Sequence, residues 1–444
     1  MKDKSFAEKE NETGLTKSRV IVGLDIGTTK IACFIGRKNE HNKIEIISMG
    51  KSESLGVMQG VVANIEKTVQ SIIAAVSDAQ QCDEGAIIIN NVYVGIAGQH
   101  IKSLQHRGMY TKRDNSTEIS QEDIDFFVED MHKMVMPPGE EIIDVIPQEY
   151  LVDGSPDIKD PIGMEGVRLE ANFHIITGNF NNVMNIKRCI ERAKLNVKDI
   201  IIEPIASADA VLSDEEKEAG IVLVDIGGGT TDVAIFQDGI IRHTAVIPFG
   251  GNVITNDIKE GCRILQRHAE KLKVKYGSAS TAENKENEVV CIPGLRGRNP
   301  KEITLKNLSR IIQARMEEII ELVNCEIKNS GYSKKLIGGI VVTGGGSQLK
   351  HLAQLFEYMT GMDTRIGYPT EHLANSNNIK NLSSPMFSTG IGLVLQGFKK
   401  IENKIITEDL TTKDKVINHS DPEKRGNFFE KLLTKGKDFF INEN

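Results

Sequence analysis

An α/β protein with two similarly built halves is encoded here, and three observations carry that prediction. Residues 221–236 read Ile-Val-Leu-Val-Asp225-Ile-Gly227-Gly228-Gly229-Thr230-Thr231-Asp232-Val-Ala-Ile-Phe, an apolar strand, an acidic glycine turn and a second apolar strand. Residues 20–34, Val-Ile-Val-Gly-Leu-Asp25-Ile-Gly27-Thr28-Thr29-Lys30-Ile-Ala-Cys-Phe, repeat the plan. At 444 residues the chain also exceeds what one hydrophobic core serves, so two lobes or more are expected.

The turns predict a phosphate held from two sides. Glycine lets the backbone turn sharply with N–H groups outward, forming a concave anion site that a side chain would obstruct. Thr28, Thr29, Thr230 and Thr231 add hydroxyls. Asp25 and Asp225 end their strands beside the phosphates, where repulsion requires a divalent cation or polarised water between them; Mg²⁺ is the natural candidate. A plain hairpin turn with an exposed Asp explains either copy alone but not the duplication. A third cluster, Thr343-Gly344-Gly345-Gly346-Ser347, follows the short strand Ile340-Val-Val and precedes Leu349, Leu352, Leu355 and Phe356 at helical spacing. Such a strand, turn and helix can pass beneath a nucleoside. A dinucleotide fingerprint fails, because no G-x-G-x-x-G opens the helix and no acidic residue stands at the ribose distance.

Together these segments resemble the actin, Hsp70 and sugar-kinase superfamily: Asp25 to Lys30 its first phosphate loop, Asp225 to Asp232 its second, and Thr343 to Ser347 its adenosine loop. Within it the chain is similar to the FtsA family of bacterial cell-division proteins. Val145-Ile-Pro-Gln-Glu-Tyr150, Gly166-Val-Arg-Leu, His174-Ile-Ile-Thr, Arg242-His-Thr-Ala-Val-Ile-Pro-Phe-Gly-Gly-Asn252, Ala269-Glu270-x-x-Lys273 and a C-terminal amphipathic tail carry the narrower likeness. It covers about residues 18–400 plus the tail. The resemblance implies an actin-like two-lobed ATPase fold of duplicated ribonuclease-H-like domains with an FtsA-type inserted subdomain. It implies ATP and Mg²⁺ as cofactors. The implied nucleotide-binding residues are Gly27, Thr28, Thr29, Lys30, Gly227, Gly228, Gly229, Thr230, Thr231, Glu270, Lys273, Gly344, Gly345, Gly346 and Ser347.

Along the chain, residues 1–17 are polar and charged, neither signal peptide nor anchor, and read as a disordered leader. Residues 18–87 hold strands at 19–25, 30–37 and 43–50 and a helix at 65–81, where Ile65, Val69, Ile72, Val76 keep helical spacing. With 168–218 they make subdomain 1A. Residues 88–167 form the inserted subdomain 1C: a strand from Asn91, a helix at 120–135 capped by Ser120 with Asp123 at N3, and strands 141–147 and 149–153 separated at Pro147. The resemblance implies that this module contacts the next protomer and other division proteins.

A strand at 169–177 and a helix at 181–195 resume the first half. Glu203 then stands at a strand-to-helix corner, since Pro204 fits a first helical turn, and Ala206, Ser207, Ala208 and Ala210 let that helix pack closely. In actin-like ATPases this corner holds a polar residue that orients the attacking water, which makes Glu203 a catalytic candidate beside Asp225; a surface Glu is the alternative. Residues 219–254 and 336–400 form subdomain 2A, and 255–335 a helical subdomain 2B with a polar excursion at 278–288 and an exposed loop from Arg296 to Pro300. Glu270 and Lys273 lie three apart on one helical face, as an ion pair or as ligands. The resemblance makes them contacts to ribose and to the base or phosphate side, and it places the tail peptide of the tubulin-like FtsZ on 2B.

Residues 401–424 are polar and read as a flexible linker. In 425–444, Phe428, Phe429, Leu432, Leu433, Phe439 and Phe440 fall on one broad helical side, with Lys431, Lys435 and Lys437 mostly opposite and Arg425 preceding them. Such a helix suits the headgroup boundary of an anionic bilayer, at about 1 kcal/mol per basic residue. The alternative, docking on the chain's own body, leaves the polar linker without a use. No apolar run approaches the ~20 residues that span a bilayer.

The net charge of −8 argues against a nucleic-acid surface, and six scattered cysteines suit reduced thiols. The expected function is an ATP-binding, polymerising scaffold that tethers the FtsZ ring to the cytoplasmic face of the membrane at the division site. A pilus-assembly relative or a small-molecule kinase of the same superfold is the alternative. The groups present bind and position a nucleotide; a weak ATPase is compatible with them.

Overall fold

The computed structural model describes residues 20–82, 85–112, 118–283, 288–293, 299–370, 372–374 and 382–417. The first lobe opens with β1 (Val20–Ile26), β2 (Lys30–Lys38) and β3 (Ile44–Glu53), an antiparallel meander, followed by α1 (Ile65–Gln80). Asn64 caps α1 by accepting from the Lys67 amide, and the stripe Val69, Ile72, Val76 that set its spacing is buried. β4 (Asn91–Ile96) then lies parallel to β1.

The insertion follows: β5 (Lys102–Thr111), α2 (Gln121–His132), β6 (Glu140–Val152), β7 (Ser155–Ile158) and β8 (Arg168–Asn179). Its four strands pair in the order β7-β6-β8-β5. One face of that sheet packs Val145, Leu169 and Phe173 against Ile124, Phe127 and Met131 of α2, a core separate from either lobe's. Ser120 and Asp123 close the α2 capping box, each side chain accepting from the other's amide.

Two expectations are corrected here. β4 was expected inside the insertion at 88–167, and β8 outside it. β4 instead sits between β1 and its later neighbour in the first lobe's sheet, with Val92 to Ile96 all buried, as a central parallel strand requires. β8 pairs along its length with β5 and β6. The strands expected at 141–147 and 149–153 are also one strand. Proline cannot donate to the ladder, so the pairing shifts register between Pro147 and Glu149 instead of stopping, and Gln148 bulges out.

α3 (Phe180–Arg192), β9 (Asn196–Ile202), α4 (Glu203–Val211) and α5 (Asp214–Ala219) complete the first lobe. The second starts at β10 (Ile221–Ile226), β11 (Thr231–Gln237) and β12 (Ile240–Ile247), then α6 (Gly251–Cys262), α7 (Gln266–Tyr276), β13 (Val289–Ile292), β14 (Lys301–Thr304) and α8 (Leu305–Asn329). The β13–β14 hairpin was not foreseen in a region expected to be helical. β15 (Ile340–Thr343), α9 (Leu352–Thr360), β16 (Thr364–Ile366) and α10 (Ser388–Ile417) end the described chain.

The duplication extends to topology. The first sheet runs β9-β4-β1-β2-β3 and the second β16-β15-β10-β11-β12, each with a parallel pair on one side of its central strand and an antiparallel meander on the other. Each sheet has its own apolar core. The described residues through Gly397 form one compact unit, and those from Phe398 belong to a second.

The flexible linker expected at 401–424 needs correction as well, because α10 is helical through Ile417. No Gly or Pro occurs between Gly397 and Pro422, so nothing local breaks the helix. The expected leader at 1–17 and the membrane helix at 425–444 lie outside the described residues. Among those described, no helix is long and apolar enough to cross a membrane.

Candidate functional site

The β1–β2 and β10–β11 turns face one another across a cavity of about 370 Å³. Antiparallel pairing sets Asp25 opposite Ala32 and Asp225 opposite Asp232, so the second hairpin brings two carboxylates where the first brings one. The Gly227 amide donates to the Thr230 carbonyl at 2.9 Å and closes the second turn. Thr28 Oγ1 accepts from the Gly60 amide at 3.1 Å, tying the first turn to the loop after β3.

The third glycine cluster is placed by β15, which runs parallel to β10 with Thr343 beside Asp225. Gly344 has φ +83°, and a Cβ there would lie 2.2 Å from Asp225 Oδ1. Only glycine satisfies both conditions. The helical continuation from Leu352 is α9, as its spacing indicated.

Burial and crowding dominate the electrostatics. Asp25 is paired with Lys30 at 3.2 Å. Asp225 accepts from Ser207 Oγ at 2.6 Å and from Thr389 Oγ1 at 3.3 Å, and burial still pushes its carboxyl up. One oxygen of Asp232 accepts from Thr230 Oγ1 at 3.2 Å, while Oδ1 is buried without a partner. Burial first, then the Asp225 charge, push this carboxyl up to about 8. Glu203 begins α4, and its side chain lines the cavity. Enclosure, then Asp25, Asp232 and Asp225, hold it well above the usual carboxylate range, with Lys30 opposing. The geometry favours neutral Glu203 and Asp232.

On the far wall Lys273 pairs with Glu270 at 2.9 Å and donates to the Gly251 carbonyl and Thr255 Oγ1, both at 2.8 Å. The two are thus an ion pair and cavity-lining at once. Of the residues expected in the site, Gly27, Thr28, Thr29, Lys30, Gly227, Gly228, Gly229, Thr230, Gly344, Gly345 and Gly346 line the cavity with Asp25, Asp225 and Glu203. Thr231 and Ser347 do not: Thr231 Oγ1 donates to the Phe249 carbonyl and Ser347 Oγ to the Gly344 carbonyl, each at 2.8 Å. Strand alternation turns Thr231 to the face opposite that of the cavity-lining Asp232. Asp232, Asn252, Thr389 and Gly60 also line the cavity; Asp232 ends the second glycine turn and Asn252 the Arg242–Asn252 stretch, while Thr389 and Gly60 stand in no recognised motif. The expected membrane-binding residues from Arg425 to Phe440 fall outside the described chain.

Among the described residues no three His, Cys, Asp or Glu side chains converge tightly enough to hold a metal by themselves. The donor set nevertheless suits a hydrated cation shared with an anionic ligand. Asp25, Asp225, Asp232, Glu203 and Lys30 line the same cavity, Lys30 pairs with Asp25, and one oxygen of Asp232 is buried without a partner.

Two family models match the chain: "Cell division protein FtsA" over residues 222–392 and "SHS2 domain inserted in FTSA" over 98–177, the latter coinciding with β5 to β8. The cell division protein FtsA of Pseudomonas aeruginosa is 39% identical over 382 residues, covering 86% of this chain and 90% of that protein. FtsA of Escherichia coli K12 is 34% identical over 393 residues, covering 86% and 91%, and that of Bacillus subtilis 33% over 380 residues, covering 86% and 84%. Among solved structures, a PilM–PilN type IV pilus biogenesis complex superposes with TM-score 0.61 at 16% identity, over 85% of this chain and 98% of the other. MreB5 of Spiroplasma citri bound to ADP superposes with TM-score 0.51 at 17% identity, over 88% and 98%. These likenesses establish the actin-like fold.

Proposed function

The chain belongs to the FtsA family of actin-like cell-division proteins, and from that premise we propose that it binds ATP in the inter-lobe cavity and tethers the FtsZ division ring to the cytoplasmic face of the membrane. The observation that supports this most directly is the convergence of both duplicated turns and the Gly344–Gly346 loop on one cavity. Gly27 to Lys30 and Gly227 to Thr230 would hold the phosphates, and Gly344 to Gly346 would pass beneath the nucleoside. Glu270 and Lys273 would contact the ribose and the base or phosphate side. Asp25 and Asp225 would hold Mg²⁺ through water, and the ion would supply charge neutralisation between carboxylates and phosphates.

Glu203 is the corner residue suited to orient a water. A carboxyl held neutral donates a hydrogen bond and does not take a proton, so slow hydrolysis is the expectation. Asp225, anchored by Ser207 and Thr389, would position that water and the hydrated ion. The chain would polymerise on the membrane, held by the amphipathic residues Phe428, Phe429, Leu432, Leu433, Phe439 and Phe440 with Arg425, Lys431, Lys435 and Lys437 on the headgroups. FtsZ would dock through its C-terminal tail on the 255–335 subdomain, and other division proteins on the insertion.

Deleting Arg425–Asn444 tests both halves of the reading. Full-length and shortened chains should bind ATP with equal affinity, and only the full-length chain should pellet with anionic vesicles at physiological salt. A shortened chain that still pellets removes the tether, and a full-length chain without ATP affinity removes the nucleotide site.

A further inference from the structure

The insertion is covalently part of the first lobe, yet its side chains grip the edge strand of the second. Gln148 Nε2 donates to the Ile241 carbonyl at 2.5 Å, and Gln105 Nε2 to the Arg242 carbonyl at 3.0 Å. Ser103 Oγ donates to the Thr244 carbonyl at 3.0 Å, and His174 Nε2 lies 3.0 Å from Thr244 Oγ1. Glu149 pairs with the Arg242 guanidinium at 2.6 Å. Irregularities on both sides create this interface. The shift after Pro147 turns Gln148 out of the β6 ladder. A matching shift in β12 leaves Arg242 as the extra residue, so successive carbonyls, of Ile241 and Arg242, are both gripped.

β12 leads directly to the cavity. After Ile247, Pro248 accepts from Gln59 Nε2 of the first lobe at 3.4 Å, and Gln59 itself has φ +49°. Three residues on, the Gly251 amide donates to the Gly227 carbonyl at 2.9 Å and the Asn252 amide to the Gly228 carbonyl at 2.8 Å. Residues 240–252 are thus one continuous segment, with the insertion at one end and the second phosphate turn at the other.

We propose that the inserted sheet is a strap across the cleft: its hold on β12 resists separation of the lobes, so nucleotide release and unseating of the insertion are coupled events. The coupling rests on the nucleotide reading above and goes beyond it by assigning the insertion a role in the chain's own cycle. In affinity it is reciprocal: whatever pulls the insertion off β12 weakens nucleotide binding, and bound nucleotide keeps the insertion seated.

The test uses the full-length chain carrying Gln105→Ala and Gln148→Ala together, with Ser103→Ala as a milder second variant. Dissociation of a fluorescent ATP analogue, chased by unlabelled ATP, should accelerate about fivefold or more in the double variant, and by a smaller factor in Ser103→Ala. Hydrogen exchange without nucleotide should rise at residues 248–252 and 227–230. An unchanged release rate in folded variants overturns the strap. If the wild-type chain binds no nucleotide, the cavity reading fails separately, and unchanged exchange at 248–252 still overturns the mechanical link. Should the double variant not fold, Ser103→Ala decides by the same two measurements.

Discussion

Asp232 shows how one side chain ties the cavity to pH. In an unfolded chain an Asp titrates near about 3.9; here burial and Asp225 push it up to about 8. Between those values the folded state holds a proton that the unfolded state has lost, so stability falls as pH rises, by up to ~1.4 kcal/mol per pH unit. Below the unfolded value the penalty is absent, and above about 8 it is complete. Asp232→Asn removes the titration and keeps the shape. It should be more stable than the wild type at pH 7.5 and should converge toward it near pH 4 in urea unfolding. A gap of equal size at both pH values would mean that Asp232 is ionised in the fold. Asp25, Asp225 and the glycines were legible from the sequence because a strand, a turn and a strand occupy adjacent residues. Thr389 reaches the cavity, and Ser207 reaches Asp225, from separate elements, and no local pattern marks either as a site residue.

Between elements, the tightest joint described is where α4 meets α10. The small residues Ala206, Ser207, Ala208 and Ala210 signalled close packing, and all four are buried. A Cβ on Gly392 would lie 1.8 Å from the Ala206 carbonyl oxygen, a backbone atom that cannot step aside. Gly392→Ala must therefore push the helices apart, at a cost of about 1–3 kcal/mol in unfolding free energy. Gly345→Ala is the contrast, since its nearest neighbour, Met386 Cβ, is 4.0 Å away, and its midpoint should stay within about 0.5 kcal/mol of wild type. Equal losses in chemical denaturation would show that the α4–α10 contact is not the constraint. At this scale helices were more legible than strand membership. β4 and β8 both read as strands, and only hydrogen-bond partners, which lie far off in the chain, decide that one is central to a lobe and the other belongs to the insertion. The bulge at Gln148 was visible only as a proline, which signalled an interruption without saying that the strand continues past it.

In the molecule up to Gly397, the two sheets fold around separate cores while their turns nearly touch. That separation predicts that lobe closure can be disturbed without unfolding either lobe. Gly229 is the place to do it: a Cβ there would lie 2.9 Å from Gln59 Cα and 2.5 Å from Thr28 Oγ1, both in the opposite lobe. Gly229→Val wedges the phosphate turns apart and removes no buried apolar contact, so the ligand-free unfolding temperature should change little. Nucleotide that grips both turns stabilises only the closed molecule. A ligand at 100 times its dissociation constant adds about 2.7 kcal/mol to the wild-type stability. The wedged variant should lose most of that gain, and its ATP-dependent shift in melting temperature should shrink toward zero. A variant whose shift matches the wild type's would mean that the ligand rests on one lobe alone, and closure would then not depend on the nucleotide.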